Sequence, residues 1–294
     1  MEVPDGLRQS PRWWHDPDGA AWLAGLPALV ADACARWDLR VDGAAMHGSN
    51  ALVVPVVAQS GAAALRLTPG DARAAAELRA LRFWAGAPVV GLLRAEPDGS
   101  VLLLERLDAS RPLAERPVDE VAATIGGLVH RLALPDPPGD VPSTADAARA
   151  LVEFGPRRWQ TLGRPMPVGV LDSATELARS LADGAPDVAV DGDVHAGQVM
   201  RSSQGGAWTV VDPLLMRGDP GYDLARSVWT QVDRLPDPAA VRRFADLVVE
   251  AAGGDTQRSR AWLVVRTVEY WLWCVAAGLT EDPLRCARLI DALA

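Results

Sequence analysis

Two aspartates separated by a short hairpin pattern constrain this chain more than any other feature. Residues 190–200 read VDGDVHAGQVM, and residues 208–213 read WTVVDP. Asp193 lies in a predicted tight turn, the side-chain amide of Gln198 follows five positions later, and Asp212 ends a β-branched strand. The Asp-Gly-Asp tripeptide also forms turns for purely local reasons. The prediction of a functional site therefore rests on the whole pattern of acid, amide, hairpin and second acid.

This spacing is typical of phosphoryl-transfer sites. In protein kinases the first acid orients the substrate hydroxyl, the amide binds one Mg²⁺, and the second acid binds the metal that bridges the phosphates. By that pattern Asp193 orients the acceptor hydroxyl or accepts its proton, while Asp212 and Gln198 bind metal. Phosphoryl transfer needs alignment and charge neutralisation more than covalent help from the protein.

A longer part of the chain resembles a known family. With residues 217–225 (RGDPGYDLA), the motif resembles the H-G-D-L-H-x-x-N, I-D-P and G-D-P-x-x-D-L signature of the aminoglycoside phosphotransferases. The resemblance is closest to the streptomycin 6-kinase and hydroxyurea phosphotransferase branch. Segments 22–30, 52–56 and 102–108 agree with it as well.

The resemblance implies a two-lobed, protein-kinase-like fold of the α+β class. An antiparallel sheet plus one helix would form a nucleotide-binding lobe over residues 1–107. A mainly helical lobe over residues 108–294 would carry catalysis and substrate binding. The implied activity is a Mg²⁺-dependent antibiotic-resistance kinase, which transfers the γ-phosphate of ATP or GTP to a hydroxyl of an aminoglycoside-type antibiotic or a related natural product.

Hydrophobic periodicity predicts strands and two helices in residues 1–107, and then mostly helices. The predicted strands are 52–57, 62–67, 89–95 and 101–104. The predicted helices are 21–37, 71–84, 118–132, 144–159, 170–182, 222–233, 238–252 and 258–279.

The nucleotide-binding residues are predicted from this order of elements. Gly48, Ser49 and Asn50 form a weak glycine loop with a single glycine, and a plain hairpin explains them equally well. Arg66 follows on the next strand, and Glu77 lies in the middle of the next helix. The resemblance implies that Arg66 grips the phosphates and pairs with Glu77.

Glu105 is predicted to contribute to nucleotide binding at the start of the linker between the lobes, over residues 105–110. The resemblance also gives His195 a place, as the family's second histidine. We expect its ring to brace the loop by hydrogen bonds rather than to perform chemistry.

Three positions depart from the family pattern. Arg66 replaces a lysine, in a chain that contains no lysine, and its planar fork is not equivalent to an ammonium group. Gln198 replaces an asparagine and adds a methylene to a metal site. Asp191 replaces the leading histidine, either as an extra carboxylate for the metal cluster or as a solvated turn residue.

These departures leave alternatives to an active kinase. The chain is either a working small-molecule kinase, a catalytically degenerate kinase-fold protein that binds its ligands without turnover, or a transferase repurposed for another biosynthetic substrate. Both key carboxylates, Asp193 and Asp212, are present, which favours activity.

The net charge of the chain limits the classes of molecule that it is expected to bind. The net charge is −9, made up of −2 in residues 1–107 (10 Arg, 12 acids) and −7 in residues 108–294 (19 Arg, 26 acids). This negative charge argues against nucleic acid as a partner and suits a small cationic substrate, although acidic residues also keep proteins soluble.

The apolar stretch 263–279 is broken by Arg266 and Glu269, and no leader is evident. We therefore expect a cytoplasmic monomer that does not enter a membrane.

Aromatic residues concentrate on the last predicted helix, which carries Trp262, Tyr270, Trp271 and Trp273. Core packing is the usual role of such side chains. Stacking on a sugar or on a guanidinium group is the alternative.

Overall fold

The structure, a computed structural model, describes residues 2–10, 13, 18–48, 50–110, 112–202 and 206–293. Ser49 lies outside these described residues. The chain divides into two compact units, one of residues 1–108 with 202–206 and the other of residues 109–201 with 207–294.

The first unit is built on an antiparallel sheet. Its strands are β1 (Arg40–Val41), β2 (Met46–His47), β3 (Leu52–Ala58), β4 (Gly61–Leu67), β5 (Leu92–Ala95) and β6 (Val101–Glu105). They lie in the order β1-β3-β4-β6-β5, with β2 also paired to β3. A tight hairpin sets the register of the two longest strands, from Leu52 opposite Leu67 to Ala58 opposite Gly61. Two apolar runs joined by so short a turn favour this pairing.

Three helices accompany the sheet, α1 (Asp5–Arg8), α2 (Gly19–Trp37) and α3 (Ala72–Phe83), and a short strand, β7 (Leu107–Asp108), ends the unit. One face of α2 carries buried residues at three- and four-residue spacing, among them Leu26, Val30 and Ala33. They belong to one core cluster with sheet residues such as Val54. Helix α3 is capped at its N-terminus, where Asp71 accepts hydrogen bonds from two backbone N–H groups.

The second unit is mainly helical. Its helices are α4 (Val118–Leu132), α5 (Thr144–Thr161), α6 (Val168–Ala182), α7 (Leu224–Trp229), α8 (Pro238–Ala252), α9 (Thr256–Ala276) and α10 (Asp282–Leu293). Helix α4 packs closely against α8 at Gly126, where an added Cβ would lie 2.5 Å from the Cβ of Ala251. The N-caps Ser143, Asp237 and Asp255 fix where α5, α8 and α9 begin.

Four short strands carry the motif found in the sequence. They are β8 (Val188–Val190), β9 (Val199–Ser202), β10 (Trp208–Val210) and β11 (Met216–Gly218). Strand β8 pairs with β11, and β9 pairs with β10, both antiparallel. The α+β class, with its N-terminal antiparallel sheet and mainly helical second unit, is therefore confirmed.

Two segment predictions were wrong in detail, and helix α10 was missed. The predicted strand 89–95 begins only at Leu92 and contains an irregularity between Leu92 and Arg94. The predicted helix 222–233 is broken into a 3₁₀ turn (Pro220–Asp223), α7 and a second 3₁₀ turn (Val232–Arg234). Helix α10 was not predicted, although its apolar positions recur at helical spacing.

Candidate active site

A tight turn presents Asp193 directly after strand β8. Gly192 adopts a φ of +87°, and a Cβ there would lie 2.6 Å from the sulfur of Met216. This left-handed conformation favours glycine. The backbone N–H of Asp193 donates to Oδ1 of Asp191 at 3.1 Å, which closes an Asx-type turn.

The carboxylate of Asp223 anchors this turn. Its Oδ2 accepts the backbone N–H of Asp191 at 3.2 Å, and its Oδ1 accepts that of Gly192 at 2.6 Å. Asp223 lies at the start of α7 and is buried. Burial raises the pKa of Asp223 to about 7, while the hydrogen bond from Gly192 opposes the rise.

Both oxygens of Asp193 have partners. Nε2 of Gln198 donates to Oδ2 at 3.2 Å, and Nη1 of Arg226 forms an ion pair with Oδ1. Burial raises the pKa of Asp193, and the charges of Arg226 and then Arg266 oppose that rise. The side chain remains 23% exposed, so an acceptor hydroxyl can reach it. Each carboxylate oxygen has two lone pairs and can accept a further hydrogen bond.

His195 lies in the loop between Asp193 and Gln198. Its Nδ1 accepts the backbone N–H of Gly197 at 3.2 Å, at the start of the 3₁₀ turn Ala196–Gln198. Burial, followed by the charge of Arg226, lowers the pKa of His195 to about 4. The ring is therefore neutral near pH 7. Such a contact suits the bracing role expected from the sequence.

Asp191 is fully buried, so its interpretation as a solvated turn residue was wrong. The turn faces the interior because β8 leads into it from the core. Burial, then the negative charges of Asp223 and Asp193, raise the pKa of Asp191 well above its usual range. This shift favours the neutral form of the carboxyl, which is a poorer ligand for Mg²⁺ than a carboxylate. Its Oδ2 is buried and has no hydrogen-bond partner.

The hairpin brings Gln198 and Asp212 to one end of its ladder. Val199 pairs with Val210, and the backbone N–H of Val211 donates to the carbonyl of Gln198 at 2.8 Å. Asp212 is the next residue, with a φ of 51°. Oε1 of Gln198 is buried and accepts no hydrogen bond. A carboxylate and an unsatisfied amide oxygen are donors of the type that Mg²⁺ prefers, so these residues fit the metal that the family implies.

No group of three or more His, Cys, Asp or Glu side chains within the described residues is arranged to hold a metal. Mg²⁺ that is bound together with phosphates and water usually takes only one or two carboxylate ligands from a protein.

The first unit contains the predicted ion pair between Arg66 and Glu77. Nη1 of Arg66 on β4 lies 2.8 Å from Oε2 of Glu77 on α3. The two residues are only 5% and 7% exposed. Burying either charge without the other would be costly, so each fixes the position of its partner.

The other described residues that are predicted to bind nucleotide are Gly48, Asn50 and Glu105, and each lies in the first unit. Gly48 follows β2, and its N–H donates to the carbonyl of Ala51 at 3.1 Å, next to the antiparallel pairing of His47 with Leu52. Asn50 is half-buried. Glu105 ends β6, and its Oε1 accepts the hydroxyl of Ser202 at 2.7 Å. The roles of these residues in nucleotide binding stay predictions.

Comparison with known proteins identifies the family. Residues 36–278 match the model of the aminoglycoside/hydroxyurea antibiotic resistance kinases. The chain belongs to this kinase family. It is 36% identical to streptomycin 6-kinase of Streptomyces griseus, over 100% of this chain and 97% of the relative. It is 34% identical to hydroxyurea phosphotransferase of Kitasatospora aureofaciens, over 100% of this chain and 86% of the relative.

Solved structures of distant kinases share the fold of this antibiotic resistance kinase. A thermostable mutant of aminoglycoside phosphotransferase APH(4)-Ia, in a ternary complex with ADP and hygromycin B, superposes with a TM-score of 0.61. The two chains are 17% identical, and the match covers 89% of this chain and 97% of the other. Choline kinase LicA from Streptococcus pneumoniae gives a TM-score of 0.58 at 11% identity, over 91% and 98% of the two chains. The kinase-like fold is thus confirmed.

Two contacts of this kinase were not foreseen. Asp223 was part of the quoted motif but received no role, and Arg226 was not singled out. Their partners lie more than thirty residues earlier in the chain, and a single sequence does not reveal contacts over such a separation.

No helix in the described ranges is long and apolar enough to cross a bilayer.

Proposed function

We propose that this kinase transfers the γ-phosphate of ATP or GTP to a hydroxyl of a streptomycin-like aminoglycoside or a related natural product. Asp193 would orient the acceptor hydroxyl and accept its proton. The observation that carries this role is its placement: a glycine-dependent turn, anchored by Asp223, presents a carboxylate that is fixed on both oxygens yet partly exposed.

The metal ligands in this proposal are Asp212 and Gln198. Bound there, Mg²⁺ would neutralise the charge of the nucleotide phosphates. Gln198 also donates to Asp193 through its other amide atom. The same side chain therefore positions the base with its nitrogen while its oxygen stays available for the metal.

In the first unit, Arg66 is proposed to bind the nucleotide phosphates, with Glu77 holding its guanidinium in place. A guanidinium supplies a permanent charge and a planar set of donors for phosphate. Gly48, Ser49, Asn50 and Glu105 remain secondary candidates for nucleotide binding. We take the enzyme to be a monomer that acts in the cytoplasm on a cationic acceptor, in keeping with the charge of −7 over residues 108–294.

The test is direct detection of product. Purified protein is incubated with Mg-ATP or Mg-GTP and a panel that includes streptomycin, hygromycin B and hydroxyurea, and mass spectrometry measures a phosphate increment. We expect an increment on a hydroxyl-bearing member of the panel, lost in Asp193→Asn. Nucleotide binding without any increment across the panel would instead support the catalytically degenerate alternative.

A further inference from the structure

Trp273 differs from the other tryptophans in the part of the chain that the structure describes. It is 51% exposed, and every other tryptophan among the described residues is buried or half-buried. Its neighbours on α9 follow the usual pattern, since Trp262 and Trp271 lie in the core. A large aromatic side chain left in water loses the stabilisation that burial provides, and Trp and Tyr are enriched at interfaces.

Trp273 is the outer ring of a three-ring stack. Trp229 at the end of α7 stacks on Tyr270 of α9, with centroids 4.4 Å apart and planes within 6°. Tyr270 stacks in turn on Trp273, at 5.7 Å and 14°. Trp229 is buried and Tyr270 half-buried. This aromatic shelf, formed by Trp229, Tyr270 and Trp273, therefore runs from the core to the solvent on a rigid base.

The aromatic shelf shares helix α7 with the arginine that contacts the proposed catalytic base. Arg226, which pairs with Asp193, lies three residues before Trp229 on α7, and residues at that spacing share a helix face. Burial and a hydrogen bond with Cys274 raise the pKa of Tyr270, and the charge of Arg226 opposes this rise. Arg226 is thus close to both Asp193 and the shelf.

Acidic side chains flank the shelf. Glu269 lies one helical turn before Trp273 and pairs with Arg266 at 2.7 Å, with 32% of its side chain exposed. The negative charge of Asp282, at the start of α10, also acts on Tyr270. Both acids are paired with arginines, Glu269 with Arg266 and Asp282 with Arg285 at 3.2 Å. The attraction for a planar or cyclic cation therefore comes from the exposed aromatic face itself.

We propose that the aromatic shelf is a subsite for the acceptor, on which a ring bearing guanidinium or ammonium groups stacks against Trp273. This inference rests on the proposed function, since it places the acceptor of that reaction. Streptomycin, whose cyclitol ring carries guanidinium groups, has the required chemistry. Hydroxyurea, small and uncharged, does not.

The experiment compares Trp273→Leu and Trp273→Phe with wild type. Phe154→Ala on α5 is the matched control, because Phe154 is also 51% exposed. Streptomycin binding is measured by calorimetry, and KM and kcat are measured for streptomycin and for the nucleotide. We expect Trp273→Leu to weaken streptomycin binding and raise its KM about tenfold, which corresponds to about 1.4 kcal/mol. The nucleotide KM should not change, Trp273→Phe should retain most of the affinity, and Phe154→Ala should match wild type.

Each other outcome is informative. Unchanged streptomycin affinity and KM in Trp273→Leu would overturn the subsite and leave the proposed function standing. Wild-type protein that binds streptomycin through Trp273 without phosphorylating it would support the subsite and count against the proposed function. Failure of wild type to bind streptomycin would overturn the subsite, whether or not hydroxyurea is phosphorylated. Circular dichroism checks that each variant is folded.

Discussion

The guanidinium of Arg226 and the carboxylate of Asp193 form an ion pair on the face of α7 that meets the catalytic turn. Arg226 thus holds one oxygen of the proposed base while Gln198 holds the other. Since His195 is neutral, Arg226 is the positive charge that directly contacts this carboxylate.

Replacing Arg226 by methionine is expected to lower kcat about tenfold to a hundredfold, because Asp193 would lose its orientation. The acceptor KM should change much less. Arg226→Lys should retain part of the activity, and guanidinium ions should partly rescue Arg226→Ala. Arg179→Met, which removes an exposed ion pair with Glu176, is the control. Equal losses in Arg226→Met and Arg179→Met would remove Arg226 from this role.

Asp193→Asn should lower the rate of phosphorylation by about 10²-fold to 10⁴-fold, the usual contribution of a general base. The amide cannot accept the hydroxyl proton, but its size is the same, so folding and nucleotide affinity should persist. Steady-state kinetics and nucleotide binding measure the two effects. Asp246→Asn, at an exposed ion pair with Arg260, serves as control. Turnover near the wild-type rate would show that Asp193 is not the base.

Asp212→Asn should weaken Mg²⁺-dependent nucleotide binding about tenfold or more, or by at least about 1.4 kcal/mol. A neutral amide replaces a charged oxygen ligand, whereas binding without metal should change little. Titration of nucleotide with and without Mg²⁺ separates the two. If Mg²⁺ enhances affinity equally in wild type and variant, Asp212 does not bind the metal.

Arg66→Ala leaves the buried carboxylate of Glu77 without its cation and should destabilise the fold by about 3–5 kcal/mol. Arg73→Ala, at an exposed position on α3, should be nearly neutral in urea denaturation. Arg66→Lys should preserve folding without improving activity, because the site is shaped for the longer fork. If wild type is inactive and only the double variant Arg66→Lys, Gln198→Asn phosphorylates an acceptor, the natural site is catalytically degenerate. Full activity in Arg66→Ala would contradict both accounts.

The raised pKa of the buried Asp191 carboxyl is expected to make the free energy of unfolding depend on pH. Its pKa is well above the unfolded value of about 4. Between those two values the native state holds a proton that the unfolded state has released, so stability falls as pH rises. Asp191→Asn mimics the neutral carboxyl and should remove this loss. We expect the variant to gain stability relative to wild type as pH rises above the unfolded pKa of about 4, measured by urea denaturation. Asp172→Asn, at an exposed position, should follow wild type, and parallel curves for Asp191→Asn would contradict the raised pKa.

Local signals predicted much of the fold. The bounds of α4 and α8 agree with the sequence because a proline stands at or just before each start, and Gly253 ends α8 with a φ of 66°. The prediction of one continuous helix over residues 222–233 was wrong because tertiary contacts override the helical pattern of this segment. Asp223 turns its side chain to the backbone of Asp191 and Gly192 instead of continuing a regular helix.

The candidate site was predictable only where spacing along the chain carries the information. Gln198 and Asp212 flank the β9–β10 hairpin, and Asp193 lies five residues before Gln198, so the local pattern predicts that they lie close together. Arg66 and Glu77 are eleven residues apart, and their pairing was predicted from the order of strand and helix and is confirmed. The burial of Asp191 was not predictable, because the same tripeptide serves solvent-exposed turns.

The turn that presents Asp193 is anchored from the start of α7 by Asp223, whereas the exposed side chain of Trp273 projects from α9. Substitutions on the solvent face of α9 leave that anchor untouched. In the arrangement proposed above, mutations on that face would change the acceptor without altering the residues of the chemical step. Placing acceptor binding and chemistry on two different helices would let specificity evolve while the reaction is kept.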